Sequence, residues 1–220
     1  MRPSRHASGV ISRDLGSDRR TRLLVGGGAA IGTAAVLGAV VRDRWSPLDT
    51  WFVREFRPPV AAPVVEAAAG VGMLLAVAGL LLAVAAALRR PAVRAGLWRH
   101  GILLVACAAV AGTQVLFQRP GPPGAGQDWT YPSGHAAVIT AVAVTAVVLC
   151  RRSAPTWGRA VLVAEVLAVA VATASRVVLG EHFPTDVVGA VAAVVGVGLV
   201  VTALIDTALI DTRERPADPV

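Results

Sequence analysis

Long apolar runs broken by short clusters of charge dominate the chain from Leu23 onward. A helix that crosses a hydrocarbon core of roughly 30 Å needs about 20 largely apolar residues. Six stretches qualify: Leu23 to Val41, Pro63 to Leu88, Gly101 to Phe117, His135 to Cys150, Ala160 to Val178 and Thr185 to Ile205. The third and fourth are short, so polar residues at their ends are expected to be drawn into the interface. All six are rich in Ala, Val, Leu and Gly, and small residues permit the close approach by which membrane helices pack. The pattern predicts an all-α integral membrane protein, a six-transmembrane-helix bundle over residues 23–205. It is flanked by a basic tail at 1–22, read as disordered around His6, and a second tail at 206–220.

Composition agrees with this reading. Of 220 residues 55% are hydrophobic and 16% charged, and the mean hydropathy is +0.65, too apolar for an ordinary soluble domain. The net charge of +7 does not point to nucleic acid, because the basic residues fall in clusters between apolar runs rather than on one exposed face. Lys is absent, so every cationic side chain apart from histidine is Arg. Cys107 and Cys150 lie within apolar stretches and read as small hydrophobes, with no disulfide framework or zinc site.

The Arg distribution predicts orientation, since cytoplasmic loops retain positive charge. Fifteen of the 21 fall on one side: Arg2, Arg5, Arg13, Arg19, Arg20 and Arg22 in the first tail, Arg89, Arg90, Arg94 and Arg99 after the second segment, Arg151, Arg152 and Arg159 after the fourth, and Arg213 and Arg215 at the end. On the other side Arg42, Arg44, Arg54 and Arg57 are interleaved with Asp43, Asp49 and Glu55. Both tails are therefore expected in the cytoplasm, with the protein in a bacterial plasma membrane. The basic start does not read as a cleaved signal, because no small-residue cleavage site follows the first apolar run. Trp45, Trp51 and Trp129 on one side, and Trp98 and Trp157 on the other, fall at interfaces as an amphipathic ring should.

With this topology the unusual polar residues gather at the outer face. Arg119 follows the third segment; Ser133, Gly134 and His135 open the fourth; Ser175 and Arg176 close the fifth; His182 and Asp186 open the sixth. Two His, two Arg, one Asp and a Ser-Gly turn suit phosphoryl transfer. Guanidinium forks match phosphate oxygens, and a helix N-terminus after Ser-Gly offers backbone N–H groups to an anion. One imidazole serves as nucleophile and the other as acid then base, with a carboxylate fixing the nucleophile's tautomer.

These residues resemble the motifs of the type-2 phosphatidic acid phosphatase family, whose site is shared with vanadium-dependent haloperoxidases. The family pattern is Lys-x6-Arg-Pro, Pro-Ser-Gly-His and Ser-Arg-x5-His-x3-Asp. The second motif is complete as Pro132, Ser133, Gly134 and His135, and the third as Ser175, Arg176, His182 and Asp186. The resemblance covers about Gly101 to Ile205. It implies a bundle of that family's type and catalytic roles for His182 as the nucleophile that forms a phosphohistidine, Asp186 as its orienting carboxylate and His135 as acid then base. It further implies phosphate binding by Arg176, Arg119, Ser133, Gly134 and Ser175, with no metal or other cofactor. The implied partners are membrane lipids and a lipid phosphate: a polyprenyl diphosphate, phosphatidic acid or phosphatidylglycerol phosphate.

The first motif departs from the pattern. In one register its Lys falls on Gly112; in the register Lys-x4-Arg-Pro-Arg-Pro it falls on Gln114, and Gly121 replaces the second Arg. The second register also aligns Pro122. Two alternatives to hydrolysis follow, a lipid phosphotransferase with the same intermediate and a non-catalytic headgroup-binding or transport protein. Elsewhere, Glu66 and Glu165 are expected within about two turns of a helix end, reaching headgroups. His100 reads as interfacial, Glu181 as a solvated loop carboxylate, and Asp128, Trp129 and Tyr131 as loop packing or headgroup contacts.

Overall fold

A computed structural model describes residues 5–55, 62–126 and 129–214, with side chains described over 18–55, 62–126 and 129–206. Arg2, Arg57, Asp128 and Arg215 lie outside the described residues, as do the side chains of Arg5, His6, Arg13 and Arg213. The described chain is helical: α1 (Arg5–Val41), α2 (Pro47–Glu55), α3 (Ala62–Leu88), α4 (Pro91–Arg94), α5 (Leu97–Ala108), α6 (Gln114–Phe117), α7 (Gly134–Ser153), α8 (Gly158–Val178) and α9 (Pro184–Glu214). A 3-10 segment, Ala109–Thr113, joins α5 to α6, so the third crossing is one interrupted helix from Leu97 to Phe117.

Among the described residues six helices are long and apolar enough to cross a membrane, and each contains one of the expected segments. Two boundaries move outward. α1 begins at Arg5 rather than Leu23, and α9 runs to Glu214 rather than Ile205. Hydropathy marks where hydrocarbon starts, whereas backbone hydrogen bonding continues a helix past it. The short helix α2 was not expected at all.

Helix α7 is the central element, packed against α3, α5, α8 and α9, while α1 packs along α9 and α3 along α8. Most of its buried positions are small, Ala136, Ala137, Thr140, Ala141, Ala143, Thr145 and Ala146 among them, with Ile139 and Leu149 as the large exceptions, so four neighbours can close around it. The two threonines satisfy their hydroxyls on the preceding turn, at Ala136 O and Ala141 O. The α1–α9 seam depends on two glycines facing each other. A Cβ at Gly27 would lie 2.7 Å from the Gly196 carbonyl oxygen, and one at Gly196 would lie 2.8 Å from that of Gly27.

The two ends of the bundle differ in polarity. At one end Asp206 of α9 pairs with Arg152 at 2.5 Å and with Arg19 at 3.2 Å, tying α7 and α1 to the last crossing. His100, near that end, is buried, with Nδ1 3.3 Å from the Gly96 carbonyl oxygen, rather than lying at an interface. Glu165 also departs from expectation: it is buried where Gly79 of α3 leaves room for its carboxylate, and neither oxygen has a hydrogen-bond partner among the described residues. Glu66 is exposed, as expected for a carboxylate near a helix start.

At the opposite end Tyr131 fills a slot between α1 and α9. A Cβ at Gly38 or Gly189 would lie within 2.4 Å of its ring, and its hydroxyl donates to the Ala34 carbonyl. Burial, with the Asp186 charge adding to it, pushes the Tyr131 phenol up to about 12. Replacing Gly196 with Leu should force α1 from α9 and cost about 1–3 kcal/mol by overpacking. Thermal unfolding in detergent should show a lower Tm for Gly196→Leu, and an unchanged Tm would show that the seam tolerates a side chain.

Candidate active site

The site is assembled where the N-termini of α7 and α9 meet. Ser133 caps α7, its Oγ accepting from the Ala136 amide at 3.3 Å. Its own amide donates to the Asp186 carbonyl at 3.1 Å, which locks the Ser-Gly turn onto α9. The first amides of α7 have no preceding helical carbonyl to bond and point, with the helix dipole, toward any anion held there. Gly134 presents its open side to Gln114, whose Nε2 lies 3.7 Å from the position a Cβ would take. Gln114 donates to the Pro132 carbonyl at 2.9 Å. Of the two residues that fall at the first-motif Lys, it is therefore Gln114 that reaches the turn, whereas Gly112 is exposed with nothing near it.

His135, the first side chain of α7 after Gly134, is exposed. Its ring faces that of His182 edge-on, with centroids 6.4 Å apart. His182 is 1% exposed, and neither ring nitrogen has a hydrogen-bond partner among the described residues. Its Nδ1 lies 3.8 Å from Asp186 Oδ2, one helical turn on. That oxygen accepts from the Phe183 amide at 3.0 Å, so the carboxylate both caps α9 and stands beside the imidazole. Ser133, His135, His182 and Asp186, expected at one level of the membrane, thus lie together where α7 and α9 begin.

Arg176 reaches the same end from α8, where its Nη1 donates to both carboxylate oxygens of Glu181, at 2.9 and 3.1 Å. Glu181 is thus a partnered carboxylate rather than a solvated one. Ser175 is turned into its own helix, its Oγ donating to the Val171 carbonyl at 2.7 Å. Arg119 is not presented to the pocket. It is 1% exposed, with Nη1 on Asp186 at 2.5 Å and on Thr185 Oγ1 at 2.7 Å, and Nη2 on Asp49 at 2.8 Å. Its guanidinium lies 4.4 Å over the Phe183 ring. Two carboxylates and the Thr185 hydroxyl hold this cation inside the fold. Among the described residues no three imidazole, thiol or carboxylate groups converge to hold a metal ion.

Asp49 was read from sequence only as a charge offsetting nearby Arg residues, yet it is fully buried. It accepts from the Ser46 amide and hydroxyl at 3.1 and 2.8 Å, and Ser46 Oγ in turn accepts from the Asp49 amide at 3.1 Å. Ser-x-x-Asp ahead of an apolar stretch is the signature of such a reciprocal cap and was the one available signal. Thr185 reaches Asp49 through its amide at 3.3 Å and its hydroxyl at 2.8 Å. Trp45, just before α2, rests against Phe183 with ring centroids 5.4 Å apart.

Residues 115–209 match the PAP2 superfamily. A solved structure titled as the first transmembrane PAP2 type phosphatidylglycerolphosphate phosphatase, from Bacillus subtilis, superposes with a TM-score of 0.57 at 17% identity. The alignment covers 86% of this chain and 97% of that one, so the two share a fold over nearly the whole bundle. No curated protein matches this chain. Both PAP2 motifs that are complete in the sequence lie within the matched region, as do Gln114's neighbour Val115 and the whole of α7, α8 and the turn to α9.

Two outcomes follow from this geometry. Glu181→Gln releases Arg176 from its carboxylate, so affinity for orthovanadate should rise about two- to five-fold, the worth of a partly exposed pair. Calorimetric titration checks this, and equal affinity would show that the pair does not compete with an anion. The second concerns acid stability. Burial pushes the Asp49 carboxyl up, but hydrogen bonds from Arg119, Ser46 and Thr185 outweigh it and hold the group below its ordinary 3.8. The unfolded chain then binds that proton more readily, so this stabilisation is complete above about pH 4 and is lost as pH falls through the folded value. Melting curves should show wild-type Tm dropping below pH 4 more steeply than that of Asp49→Asn.

Proposed function

We propose that the chain is a phosphoric ester hydrolase acting on a lipid phosphomonoester at the headgroup level of the membrane. The observation that carries this is the pair of imidazoles, His135 and His182, facing each other at the N-termini of two membrane helices with a carboxylate behind one of them. We place the phosphoryl group on the Ser133–Gly134 turn, beside the exposed His135, whose ring centroid lies 6.4 Å from that of the buried His182.

His182 attacks phosphorus through Nε2 while Nδ1, facing Asp186, carries the ring proton. The bond from phosphorus to the ester oxygen breaks as that oxygen takes a proton from His135, leaving a phosphohistidine and a lipid alcohol. His135, now neutral, removes a proton from water, whose oxygen attacks phosphorus. Cleavage of the P–N bond releases inorganic phosphate and restores His182. Arg176 and the first amides of α7 balance the charge that grows on the equatorial oxygens.

Two features favour a monoester over a diphosphate. Arg119 is withdrawn by Asp49 and Asp186, and Gln114 is neutral where the resembled family has a Lys. The pocket is left with Arg176, itself balanced by Glu181, which suits an anion of about two charges better than one of three. The similar solved protein is by its title a phosphatidylglycerolphosphate phosphatase, and that monoester is the first substrate to try. The surplus of Arg at the opposite end supports an outward-facing site with both tails in the cytoplasm, in a bacterial plasma membrane.

His182→Ala should leave a folded membrane protein that releases no phosphate from phosphatidylglycerolphosphate in mixed micelles. Turnover above about a hundredth of wild type would remove His182 from the nucleophile's role. Quenching wild type in alkaline detergent during turnover of 32P-labelled lipid should trap a base-stable, acid-labile label that His182→Ala lacks.

A further inference from the structure

The outer connection between the first two crossings contributes a residue to the machinery that the complete motifs do not contain. Asp49 stands at the start of α2, far in sequence from the other site residues, and yet is fully buried against the first turn of α9. Its carboxylate does three things there. It takes one arm of Arg119, whose other arm holds Asp186. It accepts from the amide and hydroxyl of Thr185, the residue immediately before Asp186. It also closes the cap with Ser46 that holds α2 in place.

We infer that Asp49 is a positioning residue for the nucleophile, acting through Arg119 and Thr185 to fix the Asp186 carboxylate beside His182 Nδ1. Arg119 is consequently shared rather than monopolised, and Asp186 keeps enough negative charge to orient and stabilise the imidazole. The hub of two aspartates and one arginine carries one net negative charge, placed at the positive end of the α9 dipole. This rests on the nucleophile assignment made above.

The charged and titratable groups around His182 come from six parts of the chain. They are Asp186 on α9, Glu181 in the turn before it, Arg176 on α8, His135 on α7, and the Arg119–Asp49 pair from the loop after α6 and from α2. Only the last pair differs between wild type and Asp49→Asn. That substitution keeps the shape of the side chain and removes one negative charge, which disfavours the protonated His182 ring. It also lets Arg119 pull undivided on Asp186.

The experiment compares purified wild type, Asp49→Asn and Ser46→Ala in detergent, using phosphatidylglycerolphosphate as substrate. For Asp49→Asn kcat should fall about 10- to 100-fold, as when an outer partner of a catalytic group is lost, with KM within about two-fold of wild type. The acid limb of its kcat/KM profile should move to lower pH by about half a unit or more. Ser46→Ala loosens α2 while leaving the Asp49 charge, so it should lower Tm without moving that limb. A loss in Asp49→Asn that appears only in KM or Tm, with the limb in place, overturns the inference and leaves Asp49 a structural residue.

A second readout does not depend on turnover. The ring nitrogens of 15N-histidine-labelled protein, titrated by NMR, should show the His182 midpoint lower in Asp49→Asn than in wild type. If wild type hydrolyses no lipid phosphate but the midpoint moves, the positioning link stands and the proposed function fails. If wild type is active and the midpoint is unchanged, the link fails and the function stands. Should Asp49→Asn not fold, Thr185→Val cuts the Thr185 hydroxyl from the same hub. It should reduce kcat with KM unchanged, and an unchanged kcat would overturn the inference.

Discussion

One buried guanidinium organises the functional end of this bundle. Arg119 sits between Asp49 and Asp186, over the Phe183 ring, with almost no access to water. Three separate parts of the chain meet on it: α2, the loop after α6 and the first turn of α9. Removing one partner of such a pair leaves an uncompensated buried charge and typically costs about 3–5 kcal/mol. The arrangement is consequently all or none, and it fixes where α9 begins. His182 precedes that first turn by two residues, so its ring position follows from the same contact. The Ser133 amide, bonded to the Asp186 carbonyl, brings the start of α7 to the same place.

The packing below the hub explains how two helix N-termini approach closely enough to share a ligand. Van der Waals fit rather than hydrophobic contrast joins helices in lipid. The chain supplies that fit with an alanine-rich central helix and with glycines at the α1–α9 seam. Gly27 and Gly196 bring the backbones together at mid-depth, and Gly38 and Gly189 open a slot for Tyr131 nearer the site. Tyr131 adjoins Pro132 and Ser133, so the slot that seats its ring also sets the Ser-Gly turn. Scaffold and pocket are coupled through that one aromatic side chain.

The charge arrangement changes how the family resemblance is understood in this chain. Loss of the first-motif Lys reads in sequence as erosion of a cationic clamp. In the fold, Gln114 occupies the space beside the Ser-Gly turn and braces it through the Pro132 carbonyl. Arg119 serves the carboxylates instead of the anion, and Arg176 meets Glu181. The first turn of α7 and the exposed His135 are then the main polar groups left for the proposed phosphate, with His182 buried behind them, which is why charge number matters for the proposed substrate.

Several features were decided by the sequence alone. Six apolar runs fixed the number of crossings because hydrocarbon thickness sets a minimum helix length. With the crossings counted, the spacing within Pro132–His135 and Ser175–Asp186 placed both histidines at one end. Other features depended on contacts between distant segments, which no local pattern encodes. Residue type and spacing describe Arg119 equally well as a phosphate ligand or as an ion-pair partner; only the arrival of Asp49 from α2 decided between them. Glu165 could likewise have reached a headgroup, but Gly79 on another helix left room for it inside. A side chain's period along its own helix shows its face, whereas its partner is set by which helices pack and by what they leave open.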